Sequence, residues 1–128
     1  MGVRRTGPAG PFAIVIGAFL LIEGILGLNS PIIFRVLSTN TTHAVIHILL
    51  GLVGLAVGIS GKARHYCMFL GVLLLAVGVL RFVPGIGETL VNLLNVNYAV
   101  AIFNIVLGVV SLLVARSSPQ LTETDRVA

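Results

Sequence analysis

Five polar side chains interrupt otherwise apolar stretches of this sequence, and their types could do chemistry: Glu23, His43, His47, Arg81 and Asn104. A carboxylate and imidazoles can exchange protons near neutral pH, and the same groups can ligate a metal ion. His43 and His47 are four positions apart, so on a helix they share one face. The same spacing also arises without a metal, so His43, His47 and Glu23 are candidate ligands and no metal site is established.

Two interpretations of this polar cluster stay open. An ionisable residue inside a membrane helix costs roughly 2.5–3.5 kcal/mol, so it normally pairs or faces water. As a structural device, Glu23 would pair with Arg81 or with a histidine. His47 would bond Asn104, and such bonds fix the register of the helices at about 0.6 kcal/mol each. As a functional device, the cluster would respond to protons or a metal, or bind a small polar ligand.

Four apolar segments must position these side chains. The chain has 128 residues, of which 57% are hydrophobic and 9% charged, whereas a soluble domain has about 25% charged residues. The predicted spans are residues 11–28, 43–59, 66–83 and 98–115, each 17 or 18 residues long. Segments of this length and composition cross a bilayer as helices. We therefore predict an all-α membrane fold, with one domain over residues 1–116 and a short polar cytoplasmic tail over residues 117–128.

The connections between the spans predict how the chain is oriented. Residues 60–65 form a tight basic turn, and the longer connections contain short apolar stretches, 32–37 and 90–94, which we predict to be helical pieces at the membrane interface. The two termini and the basic turn together contain more Lys and Arg than the two longer connections do. This excess predicts that both termini lie in the cytoplasm. That side holds Arg4, Arg5, Lys62, Arg64, Arg116 and Arg126, and the other side holds Arg35 and Arg81. Cys67, the only cysteine, lies near the predicted cytoplasmic face.

An internal repeat relates the two halves of the chain. A shift of 57 residues lays the second span on the fourth, so that Asn40 meets Asn97 and His47 meets Asn104, and a shift of 54 lays the first on the third. The two asparagines are predicted helix N-caps. Two spans per copy predict a four-helix bundle of two parallel two-helix repeats, related by an axis along the membrane normal.

Glycines recur at helical spacing in all four spans. Small residues let helix backbones approach closely in a membrane, and the predicted packing positions are Gly17, Gly24, Gly51, Gly54, Gly58, Gly71, Gly78 and Gly108. Gly54 and Gly58 form a GxxxG pair. The pair fits either packing inside the bundle or a dimer face, and the motif alone does not choose between them.

The motif Asn40-x-x-His43-x-x-x-His47-x-x-x-Gly51, followed by a glycine-rich span and a basic turn, carries a family resemblance. Over residues 11–116 the chain resembles a bacterial family of small four-span membrane proteins of unknown function. The resemblance implies a bacterial inner membrane and no particular activity. In the second half the chain departs from the family pattern, since Val100, Ala101 and Asn104 stand where members often have acidic, amide and histidine residues. A site that needs a histidine from both repeats is therefore not expected.

The sequence favours a non-enzymatic membrane protein. It contains no visible nucleophile–base pair, phosphate-binding loop or cofactor motif, so we expect no catalysis and no cofactor. The first hypothesis is a structural or accessory membrane component, associated with the lipid bilayer and with a second copy or another membrane protein, but not with nucleic acid. The alternative is a small permeation or proton- or metal-responsive sensing module that uses the polar cluster.

Overall fold

The computed structural model describes residues 7–118, which form five helices and one short hairpin. The helices are α1 (Ala9–Asn29), α2 (Thr41–Ser60), α3 (Ala63–Leu80), α4 (Ile86–Leu94) and α5 (Tyr98–Ser117), and the hairpin pairs β1 (Ile32–Ile33) with β2 (Leu37–Ser38). Helices α1, α2, α3 and α5 are long and apolar enough to cross a membrane. The predicted four-span helical fold is confirmed. Arg4, Arg5, Arg126 and the tail beyond Ser118 lie outside the described residues.

Two asparagines begin the second and fourth membrane helices. Asn40 Oδ1 accepts a hydrogen bond from the backbone N–H of His43 at 2.9 Å. Asn97 Oδ1 accepts the equivalent bond from Val100 at 2.8 Å. Both bonds satisfy N–H groups that have no partner within the first turn of a helix. The predicted N-caps are confirmed.

The membrane helices pack as two antiparallel pairs, α1 on α2 and α3 on α5. Glycines bring the backbones of each pair together, because a Cβ added to Gly17 would lie 2.8 Å from the carbonyl oxygen of Gly51. In the other pair, a Cβ on Gly71 would lie 3.0 Å from the carbonyl oxygen of Gly108. Equivalent glycines therefore serve equivalent contacts in both halves, while their origin by duplication stays a prediction.

The GxxxG pair of α2 packs inside the chain. A Cβ on Gly54 would lie 2.6 Å from the hydroxyl oxygen of Tyr66, and one on Gly58 would lie 3.0 Å from the carbonyl oxygen of Gly10. Tyr66 also donates its hydroxyl to the carbonyl of Leu50 at 2.7 Å, which joins α3 to α2. The two glycines are therefore engaged by neighbouring helices of the same chain.

The bundle has two ends of different character. At the terminal end, defined by Ala9, the turn after α2 and Ser118, the backbone N–H of Ala9 donates to Ser118 Oγ at 2.9 Å. The loop end consists of residues 29–40 and 81–97. A small apolar cluster lies at the loop end and contains Ile33, Leu37, Val96, Val100 and Ala101.

The first long connection differs from the prediction. Residues 32–37 were expected to be helical, but they form part of an antiparallel hairpin in which Ile32 pairs with Ser38 and Ile33 with Leu37. A helix this short would leave most of its backbone groups unpaired, whereas β-branched residues such as Ile32 and Ile33 suit a paired strand. The helical part of the prediction for residues 90–94 is confirmed, because they lie in α4, while their location at the membrane interface stays a prediction.

The third membrane helix also ends earlier than predicted. The expected span reached residue 83, but α3 ends at Leu80, and Val83 donates its backbone N–H to the Leu80 carbonyl in a turn at 3.0 Å. Pro84 accounts for the difference, since a proline disfavours helical geometry in the residue before it. The shorter helix leaves Arg81 at the loop end of the bundle.

Candidate functional site

Three of the membrane helices carry a buried polar residue at the same depth. Glu23 lies six residues before the end of α1, and His47 and Asn104 lie six residues after the starts of α2 and α5. At about 1.5 Å per residue, each is roughly 9 Å below the loop end. The fourth helix, α3, places the apolar Leu74 at this level. At this depth the first half of the chain therefore has two polar residues, and the second half has one.

Glu23 and His47 form a buried pair. Glu23 Oε1 lies 2.5 Å from His47 Nδ1, and only 6% and 8% of the respective side chains are exposed. Of the partners considered for Glu23, a histidine is the one in contact. A short contact between a carboxylate and an imidazole N–H in an apolar interior is a strong, charge-assisted hydrogen bond.

His43 is held by a backbone carbonyl of the second half. Its Nδ1 lies 3.0 Å from the carbonyl oxygen of Leu94, and its ring meets the His47 ring edge-on with centroids 4.3 Å apart. A carbonyl can only accept a hydrogen bond, so Nδ1 of His43 carries the hydrogen. In the neutral ring, Nε2 is then a bare acceptor.

Asn104 is buried without a hydrogen bond for its side chain. It is 4% exposed, and the expected bond to His47 is absent from the described residues. Among those residues, only Nε of Arg64 is both fully enclosed and unpartnered. The amide of Asn104 therefore keeps contact with open space, and that space is the cavity beside the Glu23–His47 pair.

A small cavity lies among these side chains under the hairpin. Including its open mouth it measures about 250 Å³, and its enclosed part has room for about one water-sized group. The polar side chains of the membrane helices and the hairpin share its wall. The lining residues are Glu23, Ile33, Leu37, Ser38, Thr39, His43, His47, Val100, Phe103 and Asn104.

Arg81 does not join this site. Its Nε donates to the carbonyl oxygen of Val96 at 2.7 Å, and its guanidinium lies 4.4 Å from the centre of the Tyr98 ring. The alternative pairing with Glu23 is therefore wrong for this structure. Arg81 sits at the very end of α3, where loop carbonyls are within reach, while Glu23 lies roughly 9 Å deeper.

Reciprocal hydrogen bonds tie the two halves together at the loop end. Asn40 Nδ2 donates to the carbonyl of Leu93, and Asn97 Nδ2 donates to the carbonyl of Val36, both at 2.9 Å. Positions 36 and 40 correspond to positions 93 and 97 under the 57-residue shift. Sequence reasoning assigned these asparagines only as caps and missed this second role. A cap uses only the Oδ1 atom of each amide, so the unused Nδ2 donors were the sign in the sequence of a second bond.

The three candidate metal ligands approach one another, but each bonds a protein group instead of sharing a common centre. Glu23 and His47 bond directly to each other, and His43 uses Nδ1 on a carbonyl. Across residues 7–118, no three His, Cys, Asp or Glu side chains are arranged to hold a metal ion. The cluster is therefore best described as a polar pair, a second imidazole and an amide around a small cavity.

Comparison with known proteins gives one match. The model of a family described as a domain of unknown function, DUF4383, matches residues 11–116. No curated protein and no solved structure matches the chain. The matched range contains the polar cluster, the hairpin above it and nearly all of the four membrane helices.

Proposed function

The chain belongs to the DUF4383 family of domains of unknown function, and on that premise we propose that it is a non-catalytic accessory component of the membrane that responds to protons through the Glu23–His47 pair. The observation that carries the proposal is the 2.5 Å contact between this buried carboxylate and imidazole beside a water-sized cavity. Histidine is the side chain whose ordinary protonation equilibrium lies nearest physiological pH. The pair therefore joins the kind of side chain that pH sensors use to a buried carboxylate.

One proton changes the electrostatics of the cavity. With Glu23 ionised and His47 neutral, the pair carries one negative charge, and protonation of His47 makes it a neutral ion pair. His43 is the other titratable group on the cavity wall, and the lining residues of α5 and the hairpin contribute none. Because the interior is poor in water, such a change acts strongly on the neighbouring dipoles, including the amide of Asn104.

The cavity wall supports a role without catalysis. Ser38 Oγ is its most nucleophilic hydroxyl candidate, but that oxygen donates to the carbonyl of Asn95 and accepts the backbone N–H of Asn97. The enclosed space is also no larger than about one water molecule. A substrate of organic size has no room beside the carboxylate and the imidazoles.

A purely structural role is the second candidate, and one observation favours it. The Glu23–His47 contact joins α1 to α2, the same helices that Gly17 and Gly51 already hold in close contact. In that case the pair would add a register-fixing bond to a packed interface. The two candidate functions differ in whether protonation of the pair changes the structure elsewhere in the chain.

A distance measurement separates the two candidates. Nitroxide labels at Arg35→Cys in the hairpin and Asn92→Cys on α4, both exposed positions, would report the distance between hairpin and helix in a Cys67→Ala background. We expect this distance to change as the pH is lowered, and the change to disappear in His47→Gln. His65→Ala, at an exposed histidine in the first turn of α3, is the control that should keep it. A distance that stays constant with pH, or that changes equally in His47→Gln, supports the structural role.

The proposal includes a bacterial inner membrane, cytoplasmic termini, and association with a second copy or another membrane protein. The excess of basic residues at the terminal end supports this orientation. Cys67 cannot report it by thiol labelling, because its side chain is fully buried. Cysteines at the exposed positions Lys62 and Asn92, in a Cys67→Ala background, are suitable instead. An impermeant reagent outside intact cells should label position 92 and not position 62, and the opposite pattern would reverse the orientation.

A further inference from the structure

We propose that the cavity is a binding site for one ammonium-sized cation that donates hydrogen bonds, with the ammonium ion itself as the simplest occupant. This inference rests on the proposed function in one respect, since it uses the same Glu23–His47 pair. The cavity walls supply hydrogen-bond acceptors, and the enclosed space has room for about one water-sized group.

The hydrogen bonds already made by the two histidines determine which atoms are left for a ligand. His43 must donate through Nδ1 to the Leu94 carbonyl, so its Nε2 is an acceptor in the neutral ring. With Glu23 ionised, His47 donates through Nδ1 to Oε1, so its Nε2 is likewise an acceptor when the ring is neutral. The second oxygen of Glu23 is also without a protein partner among the described residues.

Asn104 is the independent sign of a ligand. Its side chain is more than nine-tenths buried, lines the cavity, and has no hydrogen-bond partner in residues 7–118. A buried amide without partners is costly, and its carbonyl oxygen adds one more acceptor to those of Glu23 and His43. A group that offers several donors would satisfy them together.

A donor-only cation matches this wall better than water or a metal ion. All hydrogens of ammonium can donate to the acceptors of Glu23, His43 and Asn104, and its charge neutralises the carboxylate, which a water molecule does not do. The described side chains do not form a three-ligand metal site. The ring of Phe103, also on the wall, can attract a cation through its face.

Cation binding and protonation compete in this site. Ammonium is favoured while His47 is neutral and the pair carries a negative charge, and it is disfavoured once a proton makes the pair neutral. We therefore expect the apparent ammonium affinity to fall as the pH is lowered. This competition would couple the concentration of a small cation to the proton response.

The test measures thermal unfolding of the purified full chain in lipid nanodiscs at constant ionic strength. Ammonium chloride should raise the unfolding midpoint above that in potassium chloride or tetramethylammonium chloride. Potassium is similar in size but has no donors, and tetramethylammonium is too large. Asn104→Leu should weaken the apparent ammonium affinity about tenfold or more, and Asn92→Leu, at an exposed site on α4, should leave it unchanged.

A second variant keeps the test decisive if Asn104→Leu does not fold. Asn104→Asp retains the size and an acceptor oxygen and adds negative charge, so it should bind ammonium more tightly. Equal midpoints in ammonium and potassium, or equal ammonium affinity in both Asn104 variants and the wild type, overturn the site. If the pH-dependent label distance persists without any ammonium effect, only this inference fails. If ammonium binds while the distance stays constant with pH, the proposed proton response fails instead.

Discussion

Gly51→Ala tests the close packing on which the site depends. A Cβ at this position would lie 2.6 Å from the carbonyl oxygen of Gly17 and 2.7 Å from the backbone nitrogen of Leu21. Both neighbours are backbone atoms, so α1 itself must move away from α2. Such overpacking costs about 1–3 kcal/mol, against a gain of about 1 kcal/mol when alanine replaces glycine in a helix. We expect a net loss of about 0–2 kcal/mol in the free energy of unfolding.

Gly10→Ala is the matched control for this change. Its added Cβ would meet only the carbonyl oxygen of Gly58, at an ordinary 3.4 Å, so without overpacking this variant should be as stable as the wild type or more stable by up to about 1 kcal/mol. Reversible unfolding in mixed detergent micelles, followed by circular dichroism, measures both variants under the same conditions. If Gly51→Ala proves as stable as Gly10→Ala, the α1–α2 contact described here is incorrect.

Three further changes probe other parts of the structure, all by unfolding in micelles. Asn40→Ala removes both a helix cap and the bond to the second half, and should cost about 1–2 kcal/mol, whereas Asn92→Ala should be neutral; equal effects would contradict the loop-end network. Tyr66→Phe removes the hydroxyl bond to α2 and should cost about 0.6 kcal/mol, at most about 1.7; no loss would mean that the bond contributes nothing. Arg35→Gly should stabilise the chain by about 1 kcal/mol, since Arg35 is exposed and has a φ of 62°; a destabilised variant would refute a strained turn.

The membrane helices and their contact faces could be predicted because they depend on local pattern. Length and apolar composition indicate spans, and the spacing of Gly17, Gly51 and Gly108 indicates where backbones meet. Burial agrees with this spacing, since all three glycines are buried. The N-caps followed from the same reasoning, because Asn40 precedes its helix at the position where a cap is needed.

The hairpin and the partner of Arg81 could not be predicted for a different reason. Phe34 and Arg35 both adopt positive φ angles, which non-glycine residues rarely do, so no turn signal marks the hairpin in the sequence. Arg81 bonds the backbone carbonyl of Val96, and every residue has such a carbonyl. Which carbonyl accepts the bond from Arg81 is decided only when the loops fold and bring one carbonyl within reach.

The partner of Glu23 could be predicted only in part. The sequence placed Glu23 and the histidines at a similar depth but left Arg81 as an equal alternative. The structure resolves the choice through helix length, since α3 ends at Leu80 and leaves Arg81 at the loop end. The unpartnered state of Asn104 could not be read from the sequence, because it depends on a cavity formed by several elements.

Nuclear magnetic resonance of the full chain, labelled with ¹⁵N in histidine and asparagine, tests the central claim most directly. At neutral pH, the Nδ1 proton of His47 should show the strong deshielding of a short bond to a carboxylate, and Glu23→Gln should remove it. As His47 is protonated, the side-chain amide signals of Asn104 should shift together with it, and those of the exposed Asn92 should stay constant. If His47 is protonated while Asn104 and Asn92 remain equally unaffected, the Glu23–His47 pair does not act on the cavity, and the proposed proton response is wrong.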